Sequence, residues 1–281
     1  MATADAPPTP LMASSDTDEA PERLRRAEAV LGYRTGRLIL VLEQCMDSHN
    51  HQAVLRTAEA LGVQHVWLIN ANERQVKNHK TSGKKITKNC AVWLSVRSFS
   101  SIAECVAALH EAQCTIWATD LSPAAQPLTA AAKPATLPEK LAIVIGRETD
   151  GVSAEMLDAA HQRVYFPIFG FTESLNLSVA TALVLQRVFD WFPEIRGDLG
   201  EIEKQAIREQ WYPQLVSNPT QAAQAAQWLG DESKTIHPLQ DLRRPKHESW
   251  VPKSVKRREQ DMPEVQQRMG KRRETDESKE K

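Results

Sequence analysis

Cysteine is scarce: Cys45, Cys90, Cys105 and Cys114 are scattered, mostly in apolar runs, and no two form a C-x-x-C pair. That spacing excludes a disulfide scaffold and a structural zinc site and points to a reducing compartment. No apolar run reaches the length of a membrane span, and the N-terminus lacks a basic region followed by an apolar core, so neither secretion nor membrane insertion is expected and the protein is read as cytoplasmic. An excess of charge is also missing. Lys plus Arg number 35 against 36 Asp plus Glu, so attraction to a polyanion has to come from local patches. Finally, no G-x-G-x-x-G follows a strand. The Gly146 to Gly151 spacing is that of a phosphate loop, but no Lys-Ser or Lys-Thr comes after it, and Gly83-Lys84 lacks the earlier glycine. Nucleotide hydrolysis and dinucleotide binding lose support accordingly.

What the chain does have is a globular composition, 41% hydrophobic and 25% charged over 281 residues, enough for one good-sized domain with extensions. Residues 1–20 are rich in Ala, Pro, Ser, Thr and Asp without periodicity and read as a disordered tail. Residues 21–35 carry a helical pattern opened by Pro21 and Glu22, with Leu24 and Leu31 apolar and Arg23, Arg25, Arg26 and Arg34 expected outside. Alternation then begins. Strands are expected at residues 38–42, 66–69, 92–96, 115–118, 141–145 and 163–166. Helices are expected from Asn50 to Gly62, from a Ser101 cap through Ala112, and from a Ser153 cap to His161. Apolar strands alternating with helices predict an α/β domain over residues 36–192, a mostly parallel sheet covered by helices on both faces. Residues 193–250 read as a helical C-terminal extension with helices at 202–215 and 221–229. Residues 251–281 read as a charged disordered tail whose basic clusters suit RNA contact, a nuclear address or plain solvation.

In such sheets ligands sit beyond the carboxyl ends of the strands, and three polar segments fall there. The first leads from Glu43 to Asn50 and on to Arg56, which shares one side of its helix with Ala53 and Ala60. The second runs from Gly146 to Ser153. The third begins at Phe166, where Pro167 ends a strand and Gly170 permits a turn before an almost wholly apolar helix entered at Ser174 and Asn176. That helix is expected to be buried, with its positive end facing an electron-rich ligand or a phosphate. Each residue alone also fits a structural role: Asn50 a cap, Arg56 a surface cation, Glu148 a turn carboxylate.

Taken together, residues 50–58 (NHQAVLRTA), 145–153 (IGRETDGVS) and 166–180 (FPI…SLNLSVA) resemble, in order, the three motifs of the SpoU (TrmH-type) RNA 2′-O-ribose methyltransferases of the SPOUT superfamily. The resemblance spans about Glu22 to Tyr212 and is greatest to the tRNA guanosine-2′-O-methyltransferases that act on guanosine 18 of the D-loop. It implies a C-terminal deep trefoil knot that binds S-adenosyl-L-methionine, a homodimer and a tRNA substrate, with no metal. Carried over by position, Thr119, Gly146, Phe166 and Leu175 would line the cofactor site, and Asn50, Arg56, Glu148, Ser174 and Asn176 would form the catalytic group. Arg147 departs from the family, which more often has a neutral residue there, and either adds a phosphate contact or disturbs the loop. An rRNA 2′-O-methyltransferase and a knotted RNA-binding protein without turnover are the alternatives; the joint presence of Asn50, Arg56, Glu148 and Asn176 favours an enzyme.

The chemistry asks mainly for alignment of the ribose 2′-hydroxyl with the methyl group. The family proposal makes the matching arginine a general base, but a guanidinium stays protonated in proteins. Arg56 is therefore read as a phosphate clamp that polarises the hydroxyl, with Asn50 and Glu148 orienting it. The basic segment containing Arg74, Lys77, Lys80, Lys84, Lys85 and Lys88 suits tRNA backbone contact, or a solvated loop. His49 and His51 read as polar loop residues.

Overall fold

The computed structural model describes residues 19–43, 48–69, 90–231 and 234–243, which divide into a unit Met1–Gln240 and a second unit Asp241–Lys281. The first unit holds all the elements below; in the second, Arg243 pairs with Asp241 at 2.7 Å.

The chain runs through α1 (Glu22–Leu31), β1 (Thr35–Glu43), α2 (Ser48–Leu61), β2 (Val63–Ile69), β3 (Ser95–Phe99), α3 (Ile102–Glu111), β4 (Thr115–Thr119), β5 (Gln126–Pro127), β6 (Leu141–Ile145), α4 (Ala154–Ala159), β7 (Gln162–Tyr165), α5 (Leu177–Trp191), α6 (Glu201–Trp211) and α7 (Pro219–Gly230). Its seven strands form one sheet in the order β3-β2-β1-β6-β4-β7-β5, parallel at every pairing. The central strands are buried on both faces, and alternate side chains feed two cores. Leu38, Leu40 and Leu42 of β1 meet α2 and α5 on one face, while Ile39 and Val41 meet α3 and α4 on the other. The α/β sheet with two helical layers expected from the alternation is therefore the observed one.

Four local expectations are corrected. The third strand is not at 92–96: Cys90–Trp93 is a 3-10 turn and β3 starts at Ser95, because Val92 packs as a turn residue instead of pairing. The last strand stops at Tyr165, so Phe166 lies outside it. Helix α2 opens at Ser48, which places Asn50 inside the first turn. Strand β5, two residues long, has no sequence signature and exists because β7 is inserted between it and β4. That insertion has a topological consequence. The chain leaves β4, forms β5 and returns to β6, and β7 later pairs between β4 and β5, where Asp120 N–H donates to Val164 O and Leu128 N–H to Tyr165 O.

The extension forms a third core with α1, in which Leu24, Leu31, Leu199, Ile207, Trp211 and Tyr212 are buried. Arg208 of α6 grips the Glu28 carboxylate of α1 with two bonds of 3.0 and 2.9 Å, and the Tyr212 hydroxyl donates to the same carboxylate at 2.8 Å. Burial and the adjacent carboxylate push the Tyr212 phenol up. Arg34, expected outside, is fully buried. Its guanidinium donates to Glu59 and to the carbonyl of Val63 and lies 5.2 Å from the Trp211 ring centroid, so an arginine joins α2, β2 and the extension where sequence pattern alone suggested a solvated cation. Among the described residues no helix is long and apolar enough to cross a membrane.

Candidate active site

Strands β4, β6 and β7 are parallel, so their carboxyl ends come out on one side, and the segments that follow them line a cleft there. Its volume is about 520 Å³, within the usual range of small-molecule sites. Thr119, Gly146, Phe166 and Leu175, the four residues assigned to the cofactor, all line it, together with Glu148 and Ser174.

The loop after β6 is shaped by two glycines. A methyl group built on Gly146 would overlap the backbone of Gly151 and Val152, and Gly151 has φ of 71°, a conformation that side chains rarely tolerate. Between them the backbones of Arg147 and Gly151 exchange hydrogen bonds of 2.9 and 3.0 Å. The Arg147 guanidinium lies 3.1 Å from the Asp150 carboxylate. Backbone and side chain of Arg147 thus both bond within the loop. At its far end the Ser153 hydroxyl caps α4 by accepting from Met156 N–H at 3.3 Å, and Ser153 N–H donates to the buried Glu43 carboxylate at 3.2 Å.

Three of the residues assigned to catalysis come together. The Asn50 amide nitrogen donates to Glu148 Oε1 at 2.7 Å, and the Asn176 amide nitrogen donates to Asn50 Oδ1 at 3.0 Å. Asn50 thus joins the loop after β6 to the entry of α5, two segments separated from it by 98 and 126 positions. Asn176 is the cap of α5 and accepts from Ser178 N–H. Ser174 lies two residues before that cap; its carbonyl accepts from the Thr172 hydroxyl at 2.9 Å. Arg56 is not drawn in. Its side chain is exposed, it makes no hydrogen bond or ion pair among the described residues, and it sits about 9 Å along α2 from Asn50 by helical rise. The half-buried Cys90 thiol, pushed up by burial, feels Arg56 as a favourable charge. The basic segment from Arg74 to Lys88 lies outside the described residues.

Sequence reasoning missed the acidity of this cleft. Asp120, Glu148, Asp150 and Glu173 line it against a single cation, Arg147. Burial works against charge on Asp120, yet hydrogen bonds from the Ser122 side chain and backbone, with Arg163 nearby, hold its carboxyl below the usual range. This lining suits a cationic ligand. Ser178 was missed as well, although its place two residues after a capping Asn is a recognisable signal.

The apolar helix α5 is not wholly buried: Val179 is 46% exposed, and in the loop before it Phe169 and Phe171 are 96% and 109% exposed. Elsewhere α5 packs against α2.

Residues 37–186 match the model of the SpoU rRNA Methylase family. The chain is 34% identical over 199 residues to the tRNA (guanosine(18)-2′-O)-methyltransferase of Borreliella burgdorferi, covering 70% of this chain and 87% of that one. To the Aquifex aeolicus enzyme of the same name it is 28% identical, covering 68% and 88%. Among solved structures, the A. aeolicus TrmH/SpoU tRNA modifying enzyme superposes with a TM-score of 0.55 at 26% identity, over 69% of this chain and 96% of that chain.

Proposed function

Since the chain belongs to the SpoU rRNA Methylase family, we propose that it transfers a methyl group from S-adenosylmethionine to the ribose 2′-hydroxyl of guanosine 18 in tRNA. The observation that carries the reading is the Glu148–Asn50–Asn176 chain of hydrogen bonds, which gathers one residue from each of three distant segments at the mouth of a cleft. Named relatives with high coverage point to tRNA as the substrate rather than rRNA. The insertion of β7 within the β4–β5–β6 loop is the arrangement a knotted chain requires, and the knot is part of this reading.

The cleft fits the methyl donor in two respects. Its wall is acidic, which suits a sulfonium and an ammonium group. Gly146 lets the loop close tightly beside the cleft, since a methyl group there would overlap the backbone of Gly151 and Val152, and Gly146, Thr119, Phe166 and Leu175, which line the cleft, would hold the donor. When bound, it supplies an electrophilic methyl group that needs little covalent help. The protein's own task is alignment. Asn50 and Asn176 fix the Glu148 carboxylate, Ser174 borders the cleft next to it, and Arg56, free of the cleft, is available to a phosphate of the incoming RNA. Its planar guanidinium holds two oxygens at fixed geometry and polarises the hydroxyl, whose proton passes to a phosphate oxygen of the RNA or to water as the ribose oxygen takes the methyl group. The charges of Arg74 to Lys88 add backbone attraction.

Purified protein incubated with chelator, labelled S-adenosylmethionine and a tRNA transcript should bind the donor and transfer the label. Absence of donor binding in calorimetry, or binding lost on chelation, would contradict the reading. The reading also includes a homodimer: Phe169, Phe171 and Val179 form an exposed apolar group that a symmetric copy can cover. Light scattering at micromolar concentration should give twice the chain mass, and a monomer would refute this part.

A further inference from the structure

The direction of the hydrogen bonds at the site is fixed from one end. The Ser178 backbone N–H can only donate, and it lies 3.0 Å from Asn176 Oδ1, with the Ser178 hydroxyl donating to the same oxygen at 2.7 Å. An amide has one oxygen and one nitrogen, so Asn176 must turn its nitrogen toward Asn50, and the atom that receives it at 3.0 Å must be Asn50 Oδ1. Asn50 is left presenting its nitrogen to Glu148, whose Oε1 at 2.7 Å must accept. Either amide reversed would set donor against donor or oxygen against oxygen. A backbone group on α5 thereby fixes which atom of Asn50 faces the Glu148 carboxylate, two side chains away.

We propose that Ser178 is a positioning residue for methyl transfer: by pinning the Asn176 amide it orients the Asn50 amide so that its nitrogen holds the Glu148 carboxylate in place. The carboxylate spends Oε1 on Asn50 and keeps its other oxygen for one hydrogen bond from the ribose of the bound nucleotide. Two donors on Asn176 Oδ1 make the arrangement stiffer than the backbone bond alone, each at the ordinary distance of its type. Ser178 touches neither nucleotide nor donor in this account; it acts through Asn176 and Asn50. The inference rests on the methyltransferase reading above.

Two measurements on the full chain test it. Ser178→Ala should slow single-turnover methyl transfer to tRNA about fivefold, the worth of one hydrogen bond, with unchanged S-adenosylmethionine affinity, and Ser178→Thr, which keeps the hydroxyl, should restore the rate to within about twofold. In protein labelled with ¹⁵N-asparagine, the Asn50 side-chain NH₂ resonances should shift in Glu148→Ala, which removes their acceptor, and should broaden or shift in Ser178→Ala, which loosens the amide. Wild-type speed in Ser178→Ala, or Asn50 resonances that both substitutions leave in place, would overturn the proposal. A wild-type protein that transfers no methyl group at all would instead remove the enzymatic reading, and the NMR comparison would still decide whether Ser178 orients the amides.

Discussion

Arg56→Ala should lower single-turnover methyl transfer about 10²- to 10³-fold, the scale seen when a donor aimed at developing charge is removed, and should leave S-adenosylmethionine affinity unchanged. The structure separates the two effects. Arg56 stands exposed on α2, outside the set of residues that line the cleft, so nothing that holds the donor depends on it. A loss confined to the chemical step identifies an interaction made in the transition state. Arg56→Lys should be nearly as impaired, because an ammonium keeps the charge but lacks the fork that holds two oxygens. Donor binding, tRNA binding and single-turnover rate need to be compared side by side. Near-normal rates in Arg56→Ala would take Arg56 out of the mechanism, and a loss accounted for by weaker tRNA binding would make it an anchor.

Gly146→Ala is expected to act in the opposite order. Its added methyl group meets backbone at Gly151 and Val152, and backbone gives way far less readily than the tip of a side chain. The Arg147–Gly151 pair of hydrogen bonds has to open, which moves the cleft wall and Glu148 with it. Donor affinity should fall by at least about 100-fold, the equivalent of roughly 3 kcal/mol, in line with the cost of overpacking a tight contact. Circular dichroism of the variant should stay native in shape, since the loop lies at the end of β6 and not within the sheet. Calorimetry that finds wild-type donor affinity would show that the pinch at Gly146 is not part of the donor site.

The sheet was legible because its strands are short apolar runs between helices with caps: residues 141–145 were bounded as observed, and the Ser101 and Ser153 caps both form. What escaped is what sequence pattern does not encode. Strand β5 is two residues held by a neighbour that arrives later in the chain, and Arg34 is buried by the joint packing of Glu59, Val63 and Trp211. At the site, motif likeness named Asn50, Glu148 and Asn176 as partners, and their hydrogen bonds give a physical reason for the grouping. It did not give the acid lining of the cleft, because Asp120 and Glu173 come from separate loops that only the fold brings to one wall. Nor did it give the role of Ser178, which depends on the direction of bonds rather than on residue identity. Arg56 shows the converse: it was legible as a residue type at a spacing, yet in the fold it stands exposed on α2 and joins none of the hydrogen bonds among Asn50, Glu148 and Asn176.

The most direct measurement of the central claim is methyl transfer to two tRNA molecules that differ in one atom. With labelled S-adenosylmethionine, tRNA carrying guanosine at position 18 should accept about one methyl group per molecule, and the same tRNA with 2′-deoxyguanosine there should accept none while binding as well. Equal labelling of both tRNAs, or no labelling of the first, would contradict a ribose methyltransferase acting at that nucleotide.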